Sequence, residues 1–351
     1  MNPLPKTMRC VWLTGHGGLD KLEVRRDIPV PQPTANDVVI RVRAAGVNNT
    51  DINTRIAWYS KGDAATEDAS WSGEPISFPR IQGADVCGYI VAVGKNISKD
   101  RIGERVLIEP CIRESNGKVL SQPWYFGSEC DGGFAEFTVV ASRHAYRIES
   151  DLSDLELASF PCSYSTAENL LTKSNVTGRD LVLVTGASGG VGSAVVQLAK
   201  VRGAEVVAVT TPSKSSYIIG LGATKTVARE DSIVEHFGQN SIDVVIDLVA
   251  GKQWPELLDV LKPGGRYAVA GAIGGPSVEL DIRTLYLKDL SLFGCTVLES
   301  QVFHNLIDHI ENGSVRPLVA HTFPLAQITN AQEMFLLKKH TGKIVLTIDV
   351  E

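Results

Sequence analysis

The segment LVLVTGASGGVGSAVVQLAK, at positions 181–200, constrains the fold of this chain more than any other. In it a strand, a glycine turn and a helix follow one another in the order of a phosphate-binding crossover. Four more apolar runs follow without polar alternation, as strands buried on both faces do: EVVAVT, DVVIDLV, GGRYAVAG and LSLFGCTVL. Because helical segments separate these runs, they predict a doubly wound parallel sheet of the α/β class.

Residues 1 to about 150 show the pattern of a β-rich domain instead. Short β-branched runs, among them DVVIRVRAAGV and GFAEFTVV, are bounded by Gly, Asn and Asp, and helical periodicity is scarce. Two polar and aromatic loops, at 54–79 and 113–131, interrupt the strands. Their aromatic side chains either anchor the loops or line a pocket: Trp58, Tyr59, Trp71, Trp124, Tyr125 and Phe126.

The charge and composition of the 351 residues exclude several classes of partner. A formal net charge of −6 with interspersed signs gives no basic surface for nucleic acid or an anionic membrane. No stretch approaches the roughly 18 apolar residues of a membrane helix, and the first residues lack the apolar core of a signal sequence. The six cysteines form no C-x-x-C pair. We therefore expect a cytoplasmic protein with free thiols and a small-molecule substrate.

The glycine turn predicts a dinucleotide site. Gly189 lets the backbone approach a pyrophosphate, Gly192 lets the helix pack on the sheet, and the amides at the helix start meet the negative charge. The predicted contacts are Ser188, Gly189, Gly190, Val191 and Gly192. The usual first glycine is Ala187 here, and a glycine turn without a ligand is the alternative.

The end of the next strand indicates which dinucleotide is bound. An acidic residue there accepts hydrogen bonds from the ribose hydroxyls of NAD, whereas it repels the 2′-phosphate of NADP. This chain has VVAVTTPSKSS, with the hydroxyls of Thr210, Thr211 and Ser213 and the cation of Lys214. Arg229 is a weaker second cation. The pattern predicts NADP, and a solvated lysine at a helix start is the alternative for Lys214.

Two later strand ends are expected beside the cofactor, because open α/β sheets bind ligands at the carboxyl ends of their strands. The predicted residues are Asp247, Leu248 and Val249 in DLVAG, and Gly271, Ala272 and Ile273 in AVAGAIGG. They complete the nucleotide site predicted for the second half of the chain.

Several motifs resemble those of the medium-chain dehydrogenase/reductase superfamily, and the match spans nearly the whole chain. They are AAGVNNTD, IQGADVCGYIVAVG, GERV, DGGFAEF, TGASGGVGSAVVQLAK and LKPGGRYAVAG. The nucleotide motif is similar to quinone oxidoreductase-like members, whereas FGSECDGGFAEFTVV and PCSYSTA are similar to zinc alcohol dehydrogenases. The resemblance implies a GroES-like domain at 1–157 and 312–351, a Rossmann domain at 158–311, and a homodimer paired through a sheet edge.

The zinc ligands of the zinc-dependent members are missing. At the corresponding positions this chain has Asn48, Ala84 with Asp85, and Cys162. Ala84 cannot coordinate a metal and a carboxamide is a poor zinc ligand, so we predict no metal. Cys162 remains a catalytic candidate as a buried thiol bordering the active site, with packing or a substrate contact as its role. The local sequence supplies no cation to activate it as a nucleophile.

The resemblance also implies which residues serve the nicotinamide and the substrate. Asn48 is expected to hold the cofactor or to donate to the substrate oxygen, and Asp51 to orient Asn48 or to relay a proton. For NNTD, an Asx turn that satisfies its own backbone is the alternative. The other expected nicotinamide contacts are Thr166, Cys295 and Thr296, for which ordinary helix or interior strand positions are the alternative.

Together these features predict a zinc-independent, NADPH-dependent reductase of α,β-unsaturated carbonyls or quinones. Without a metal an activated alkene is the easier acceptor, because hydride adds to the β-carbon and charge moves onto a conjugated oxygen. The proton donor is unassigned, because Asn53 stands where quinone reductases often carry a tyrosine. One alternative is an alcohol dehydrogenase acting on a simple carbonyl, with an atypical zinc. Another is a non-catalytic NADPH-binding protein.

Overall fold

The computed structural model describes residues 4–60, 70–72 and 75–349. Parts of the aromatic loop predicted at 54–79 therefore lie outside the described residues, namely 61–69 and 73–74. The chain forms two compact units. Unit one is Met1–Cys162 with Pro317–Glu351, and unit two is Ser163–Arg316. The first and last parts of the chain thus build one unit together.

Strands outnumber helices in the first segment of unit one. Its strands are β1 (Thr7–Leu13), β2 (Leu22–Pro29), β3 (Asp37–Val47), β4 (Arg80–Ile81), β5 (Asp85–Val93), β6 (Arg105–Ile108), β7 (Cys111–Ser115), β8 (Lys118–Tyr125), β9 (Phe137–Ala141) and β10 (Ala145–Arg147). Its helices are α1 (Asn49–Arg55) and α2 (Asp154–Leu157). The β-rich pattern predicted for this part of the chain is confirmed.

Helices and strands alternate in unit two, which the chain enters along α3 (Pro161–Lys173). The strands are β11 (Leu181–Val184), β12 (Glu205–Thr210), β13 (Lys225–Ala228), β14 (Ile242–Asp247), β15 (Leu261–Val269) and β16 (Ser291–Gly294). The helices that follow α3 are α4 (Gly190–Val201), α5 (Ser215–Leu221), α6 (Ile233–Phe237), α7 (Trp254–Asp259), α8 (Ile282–Leu287) and α9 (Val302–Glu311). The chain then returns to unit one with β17 (Val319–Pro324), α10 (Ile328–Leu336) and β18 (Lys343–Thr347).

Strand β3 occupies the centre of the main sheet of unit one. The order is β10-β6-β5-β3-β18-β17, and β9 also pairs with β3. Neighbours cover β3 along its length, and its sequence DVVIRVRAAGV is accordingly buried almost throughout. At its end, Gly46 pairs with Asp85 of β5, and Val47 pairs with Ile344 of β18. Three strands therefore converge beside the junction of β3 with α1.

Unit two contains the predicted doubly wound sheet. Its strand order is β13-β12-β11-β14-β15-β16, with every pair parallel. Apolar side chains such as Leu183, Val207, Val245 and Leu257 form a core against it. The order reverses between β11 and β14, and ligands of such sheets bind at the carboxyl ends of the strands at this point. The predicted α/β class is confirmed.

One predicted strand differs from its prediction. LSLFGCTVL was predicted as a strand buried on both faces, but β16 covers only Ser291–Gly294 and is largely exposed. The reason is its place in the order: β16 is the last strand and pairs only with β15. An edge strand has one neighbour, so an apolar run there does not imply burial.

The helices are short compared with a membrane span. Helix α3 has 13 residues and α4 has 12, whereas a span needs about 20. No helix in the ranges 4–60, 70–72 and 75–349 is long and apolar enough to cross a bilayer.

Candidate active site and dinucleotide site

The turn between β11 and α4 is held by two glycines. Gly186 has a positive φ of 59°, so the left-handed residue of the turn lies one position before Ala187. A Cβ on Gly192 would lie 2.3 Å from the Gly186 carbonyl oxygen, which leaves no space for a side chain. Gly192 therefore permits the close contact between α4 and the turn.

The start of α4 leaves backbone donors available. Gly189 is the N-cap and brings no capping side chain. In the described chain the amides of Gly190, Val191 and Gly192 have no protein acceptor, whereas the Ser193 amide donates to the Gly189 carbonyl. Unpaired amides at a helix N-terminus bind anions. This turn can therefore hold a pyrophosphate.

A cavity of about 250 Å³ lies at the carboxyl ends of β12 and β13. Its lining residues are Thr210, Thr211, Pro212, Ser215, Thr226, Val227 and Ala228. Thr210 is buried, and its hydroxyl has no hydrogen-bond partner in the protein. A buried polar group without a partner is costly. The Thr210 hydroxyl is therefore available to a ligand in this cavity.

Two cationic residues, Lys214 and Arg229, follow lining residues of this cavity in the sequence and lie close enough to influence each other. Burial and, secondly, the positive charge of Arg229 lower the pKa of Lys214. Arg229 is largely exposed and pairs with Glu230 at 3.1 Å. The hydroxyls of Thr211 and Ser213 lie 3.3 Å apart in the same loop. Adjacent cations that repel each other are relieved by a nearby anion, which suits a phosphate group.

Asp247, at the end of β14, is completely buried, and its carboxylate is used inside the protein. The hydroxyls of Thr185 and Tyr267 donate to it, each at 2.5 Å. The amides of Val249 and Ala250 donate at 2.9 and 3.0 Å. The Asp247 side chain thus shapes the loop after β14, and its carboxylate is already engaged within the protein.

The other predicted cofactor residues lie on unit two, at the strand ends or on α3. Ser188 and Thr166 are partly exposed, the first in the glycine turn and the second on α3. A Cβ on Gly271 would lie 2.7 Å from the Leu248 carbonyl oxygen, so the loops after β14 and β15 are in close contact. Ile273 and Thr296 are exposed, whereas Cys295 is buried. Ala272 precedes Ile273 in the same loop.

In unit one, Asn48, Asp85 and Lys343 form a buried cluster. The Lys343 ammonium lies 2.7 Å from Asp85 Oδ2 and also donates to Asn48 Oδ1. The Asn48 amide donates to Asp85 Oδ2 at 2.9 Å and to the Gly46 carbonyl at 3.3 Å. Both amide hydrogens and the amide oxygen of Asn48 are therefore engaged within the protein.

Asp51 stabilises the start of α1. Its carboxylate accepts a hydrogen bond from the Asn48 backbone amide at 2.7 Å, so NNTD forms a turn that satisfies its own backbone. Burial raises the pKa of Asp51 to about 7, against the opposing effects of the Asn48 amide and the Lys343 charge. The buried carboxyl group therefore exchanges its proton near neutral pH.

Cys162 lies in a mostly buried aromatic cluster of unit one, called here the candidate pocket. Its Sγ is 2.9 Å from the Tyr125 hydroxyl, and Ala84 packs beside both. The Tyr125 ring lies 5.1 Å from the Trp71 ring between centroids. Burial and, secondly, the Asp85 charge raise the pKa of the Cys162 thiol to about 12. The thiol is therefore protonated at neutral pH, which does not suit a nucleophile.

The loop aromatics predicted from the sequence have different surroundings in the structure. Trp71 and Tyr125 pack in the cluster that contains Cys162. Tyr59 donates to Thr50 at 3.2 Å, and burial raises the pKa of its phenol. Phe126 instead belongs to the main core of unit one. The anchoring role thus occurs for Phe126, whereas the pocket-lining role of the other loop aromatics stays a prediction.

No sequence pattern identifies one central residue of the cluster. Lys343 begins β18 and contacts Asn48 across 295 positions of sequence. A lysine in a strand normally has a solvated end, and the segment GKIVLTIDV indicated only a strand. The pairing of β18 with the end of β3 supplies the missing information.

Comparison with known proteins gives matches over most of the chain. Residues 34–150 match the family described as alcohol dehydrogenase GroES-like domain, and residues 190–312 match the family described as zinc-binding dehydrogenase. Human quinone oxidoreductase is 29% identical over 357 residues, with 98% of each chain covered. Acryloyl-coenzyme A reductase of Metallosphaera sedula is 29% identical over 350 residues, covering 97% of this chain and all of the relative.

A solved structure is more similar still. It belongs to a protein of Sinorhizobium meliloti 1021 that is described provisionally as an alcohol dehydrogenase. The two chains are 44% identical with a TM-score of 0.92, and the match covers 99% of this chain and 98% of the other. A Rossmann sheet joined to a GroES-like unit with such relatives defines an oxidoreductase of the nicotinamide-dependent class. The chain belongs to the medium-chain dehydrogenase/reductase superfamily, which confirms the predicted resemblance.

The residues of the pocket do not fit the zinc that the family description implies. Ala84 has no ligating atom, and both oxygens of Asp85 accept hydrogen bonds from protein donors. The Asn48 oxygen accepts from Lys343, which brings a positive charge into the cluster. No group of three or more His, Cys, Asp or Glu side chains suited to a metal occurs among the described residues. Zinc needs three protein ligands and an open position.

We expect Asp51 to give the stability of the protein a specific pH dependence. Because burial raises its pKa from 3.8 to about 7, its contribution is fully present below about pH 4 and is lost as the pH rises through 7. One such proton changes the unfolding free energy by at most about 1.4 kcal/mol per pH unit. The D51N variant does not titrate, so its urea-unfolding profile between pH 4 and 8 should lack this loss.

The control is D20N, which removes an exposed carboxylate and should keep the wild-type dependence of stability on pH. A D51N profile parallel to that of the wild type would contradict the assignment.

Proposed function

We propose that the protein is a zinc-independent, NADPH-dependent reductase of α,β-unsaturated carbonyl compounds or quinones. One observation carries the proposal: the cation at the polar centre of the unit-one pocket is the Lys343 ammonium, bound to Asp85 and Asn48. The substrate that accepts the hydride is then activated by hydrogen-bond donors of the protein rather than by a metal ion. Such donors suit a conjugated acceptor, in which the developing charge spreads onto an oxygen.

The similar enzymes support the same class of acceptor. Quinone oxidoreductase and acryloyl-coenzyme A reductase are both named for conjugated acceptors. In this chain Trp71 and Tyr125 offer the flat aromatic surfaces on which such an acceptor stacks. The pocket thus favours a planar, conjugated substrate over a saturated carbonyl.

The donors in this pocket are hydroxyl and thiol groups. NADPH, when bound, supplies the hydride. The Tyr125 hydroxyl and the Cys162 thiol lie 2.9 Å apart, and burial raises the pKa of both groups, so they stay protonated while charge develops on the substrate oxygen. Asn48 orients the pocket rather than donating, since its amide hydrogens are already engaged. Asp51, with a pKa of about 7, suits the proton relay.

The test is NADPH oxidation by metal-analysed protein with a quinone, an enone, an enal and a saturated aldehyde, each repeated with a chelator. We expect turnover of the conjugated acceptors, no effect of the chelator, and none or little turnover of the saturated aldehyde. Activity confined to the aldehyde and lost with the chelator would contradict the proposal. No oxidation of NADPH with any acceptor, despite tight binding, would indicate a non-catalytic NADPH-binding protein.

A second candidate is an alcohol dehydrogenase acting on a simple carbonyl. The observation that favours it is the 44% identity to the Sinorhizobium meliloti protein that is described as such. The same acceptor panel separates the two, because only the alcohol dehydrogenase reduces the saturated aldehyde efficiently.

The cavity at β12 supports NADP as the cofactor, since hydroxyls and two neighbouring cations stand near it. We expect the K214A/R229A variant to raise the KM for NADPH roughly tenfold or more, because hydrogen bonds to charged groups contribute about 1.5–3 kcal/mol. Its KM for NADH should change little. Steady-state kinetics with both cofactors measure this, with K225A, an exposed lysine on β13, as the matched control. Equal losses with NADPH and NADH would rule out a 2′-phosphate contact.

We further propose that the protein forms a homodimer through β16 of unit two. The strand is an edge, and exposed apolar side chains lie on it and on the preceding helix α8: Ile282, Tyr286, Leu287 and Leu292. Pairing two such edges would satisfy their backbone groups and cover these side chains.

The dimer predicts a specific response to a charge at this edge. The L287K variant should be monomeric at concentrations where the wild type is dimeric, because it places an ammonium in the apolar contact. Sedimentation velocity measures the state of both. I219K, a comparably exposed apolar position on α5, is the control and should remain dimeric. A wild-type monomer, or a dimeric L287K protein, would refute the contact.

A further inference from the structure

A cavity of about 320 Å³ lies on unit one and shares no lining residue with the candidate pocket. Strands β3 and β5 and the loop before β6 supply its walls. Its volume is at the lower end of the range for small-molecule sites, about 300–1,000 Å³. The lining residues are Arg41, Arg43, Tyr89, Ile90, Val91, Ile102 and Gly103.

The pairing of β3 with β5 brings the polar lining residues together. Arg41 lies directly opposite Tyr89 in this antiparallel ladder. On one side of that pair β3 has an extra residue, Arg43, and on the other side β5 has an extra residue, Val91. A bulge of this kind redirects the side chain of a strand, and both extra residues line the cavity. The cavity is therefore a product of the irregular strand pairing.

The opposite wall of the cavity is apolar. Two backbone hydrogen bonds join its loop to β5: the Gly103 amide donates to the Ile90 carbonyl at 2.8 Å, and the Ile90 amide donates to the Glu104 carbonyl at 3.0 Å. The side chains of Val91 and Ile102 are partly buried and pack against the core of unit one. A ligand in this cavity thus meets a fixed apolar surface.

The protein itself does not use the donors that line the cavity. The Arg41 Nε is buried, and no acceptor in the part of the chain that the structure describes binds it. Among the same residues, the side chains of Arg43 and Tyr89 make no hydrogen bond, and Arg43 only approaches Asp154, at 3.8 Å. A buried donor without an acceptor is costly. An acceptor from a ligand would remove that cost.

The charge around the cavity is positive. Asp154 is already paired with Arg105 at 2.7 Å, and Glu104 of the loop also forms an ion pair of its own. Arg41 has no carboxylate partner in the described ranges, and Arg43 has only its long contact with Asp154. Two guanidinium charges therefore lack full compensation on one wall.

We propose that this cavity binds a small organic phosphate monoester. The phosphate lies between Arg41 and Arg43, and the apolar or aromatic body of the ligand lies against Val91 and Ile102. A phosphate group carries a charge of about −1.5 to −2 at neutral pH, which balances two guanidinium groups, whereas a carboxylate balances one. The planar edge of a guanidinium also donates two parallel hydrogen bonds to such an anion. The Tyr89 hydroxyl is a further donor.

The probe that tests the site is phenyl phosphate, titrated calorimetrically into the full-length protein. NADP⁺ is present in excess, so that the dinucleotide site proposed for unit two is occupied. We expect one equivalent of phenyl phosphate to bind and phenol not to bind. Inorganic phosphate, which lacks the apolar body, and benzoate, which carries a single charge, should both bind more weakly than phenyl phosphate.

The R41M/R43M variant keeps the apolar stems of both arginines and removes their charges. We expect its affinity for phenyl phosphate to fall about tenfold or more, because hydrogen bonds between charged groups are lost. R147M is the matched control: it removes an exposed arginine of the same sheet, on β10, and should bind as the wild type does.

Two conservative variants keep the test decisive if R41M/R43M does not fold. R41K and R43K retain the positive charge but lose the planar pair of donors, and each should weaken binding several-fold. Failure of the folded wild type to bind phenyl phosphate overturns the proposal, as does unchanged affinity in R41M/R43M or in both lysine variants. Tighter binding of benzoate than of phenyl phosphate also overturns it.

Binding at the dinucleotide site is separated by K214A/R229A. A loss of phenyl phosphate binding in that variant, with R41M/R43M unaffected, would assign the signal to unit two and contradict the proposal. No outcome depends on the oxidation of NADPH, so the proposed reaction and this site can fail independently.

Discussion

Burial of the Asp85 carboxylate is the constraint on which the arrangement of unit one depends. With none of its side chain exposed, its charge must be satisfied by protein donors, and three segments supply them: the end of β3, the start of α3 and the start of β18. A one-residue slip of β18 against β3 would turn Lys343 to the opposite face of the sheet. The ion pair and the strand register therefore depend on each other.

In unit two the buried carboxylate of Asp247 is stabilised in a different way. Asp247 accepts hydrogen bonds from two hydroxyls and two amides, and no cation among the described residues pairs with it. Neutral donors suffice where the carboxylate fixes one loop. Asp85 instead joins strands that are distant in sequence, and a long, charged side chain can span that gap. The two carboxylates show how similar desolvation leads to a rigid loop in one unit and to a cross-sheet ion pair in the other.

The sequence predicts those parts of this fold whose signals are local. The glycine turn at 186–192 and the buried strands around it are contiguous patterns, and the structure contains them. LSLFGCTVL has the same local pattern but lies at the sheet edge, and only the strand order distinguishes an edge from a centre. Lys343 and Tyr125 could not be assigned, because their roles arise from contacts with Asn48 and Cys162 that are set by tertiary pairing. The motif NNTD predicts, as one alternative, the turn that Asp51 forms with the Asn48 backbone, but the pKa of Asp51 depends on burial, which no motif states.

The assembly of unit one from two chain segments has a consequence for synthesis. Asn48 and Lys343 are 295 positions apart, a distance that translation at about 5–20 residues per second covers in about 15–60 seconds. Unit two, which is continuous in sequence, emerges in that interval and can fold on its own contacts. During the same interval Asp85 lacks its ammonium partner, so the first segment of unit one contains a carboxylate without its counterion. Unit one is therefore complete only when β18 has been added. A nascent chain released before residue 343 lacks both this strand and the counterion of Asp85.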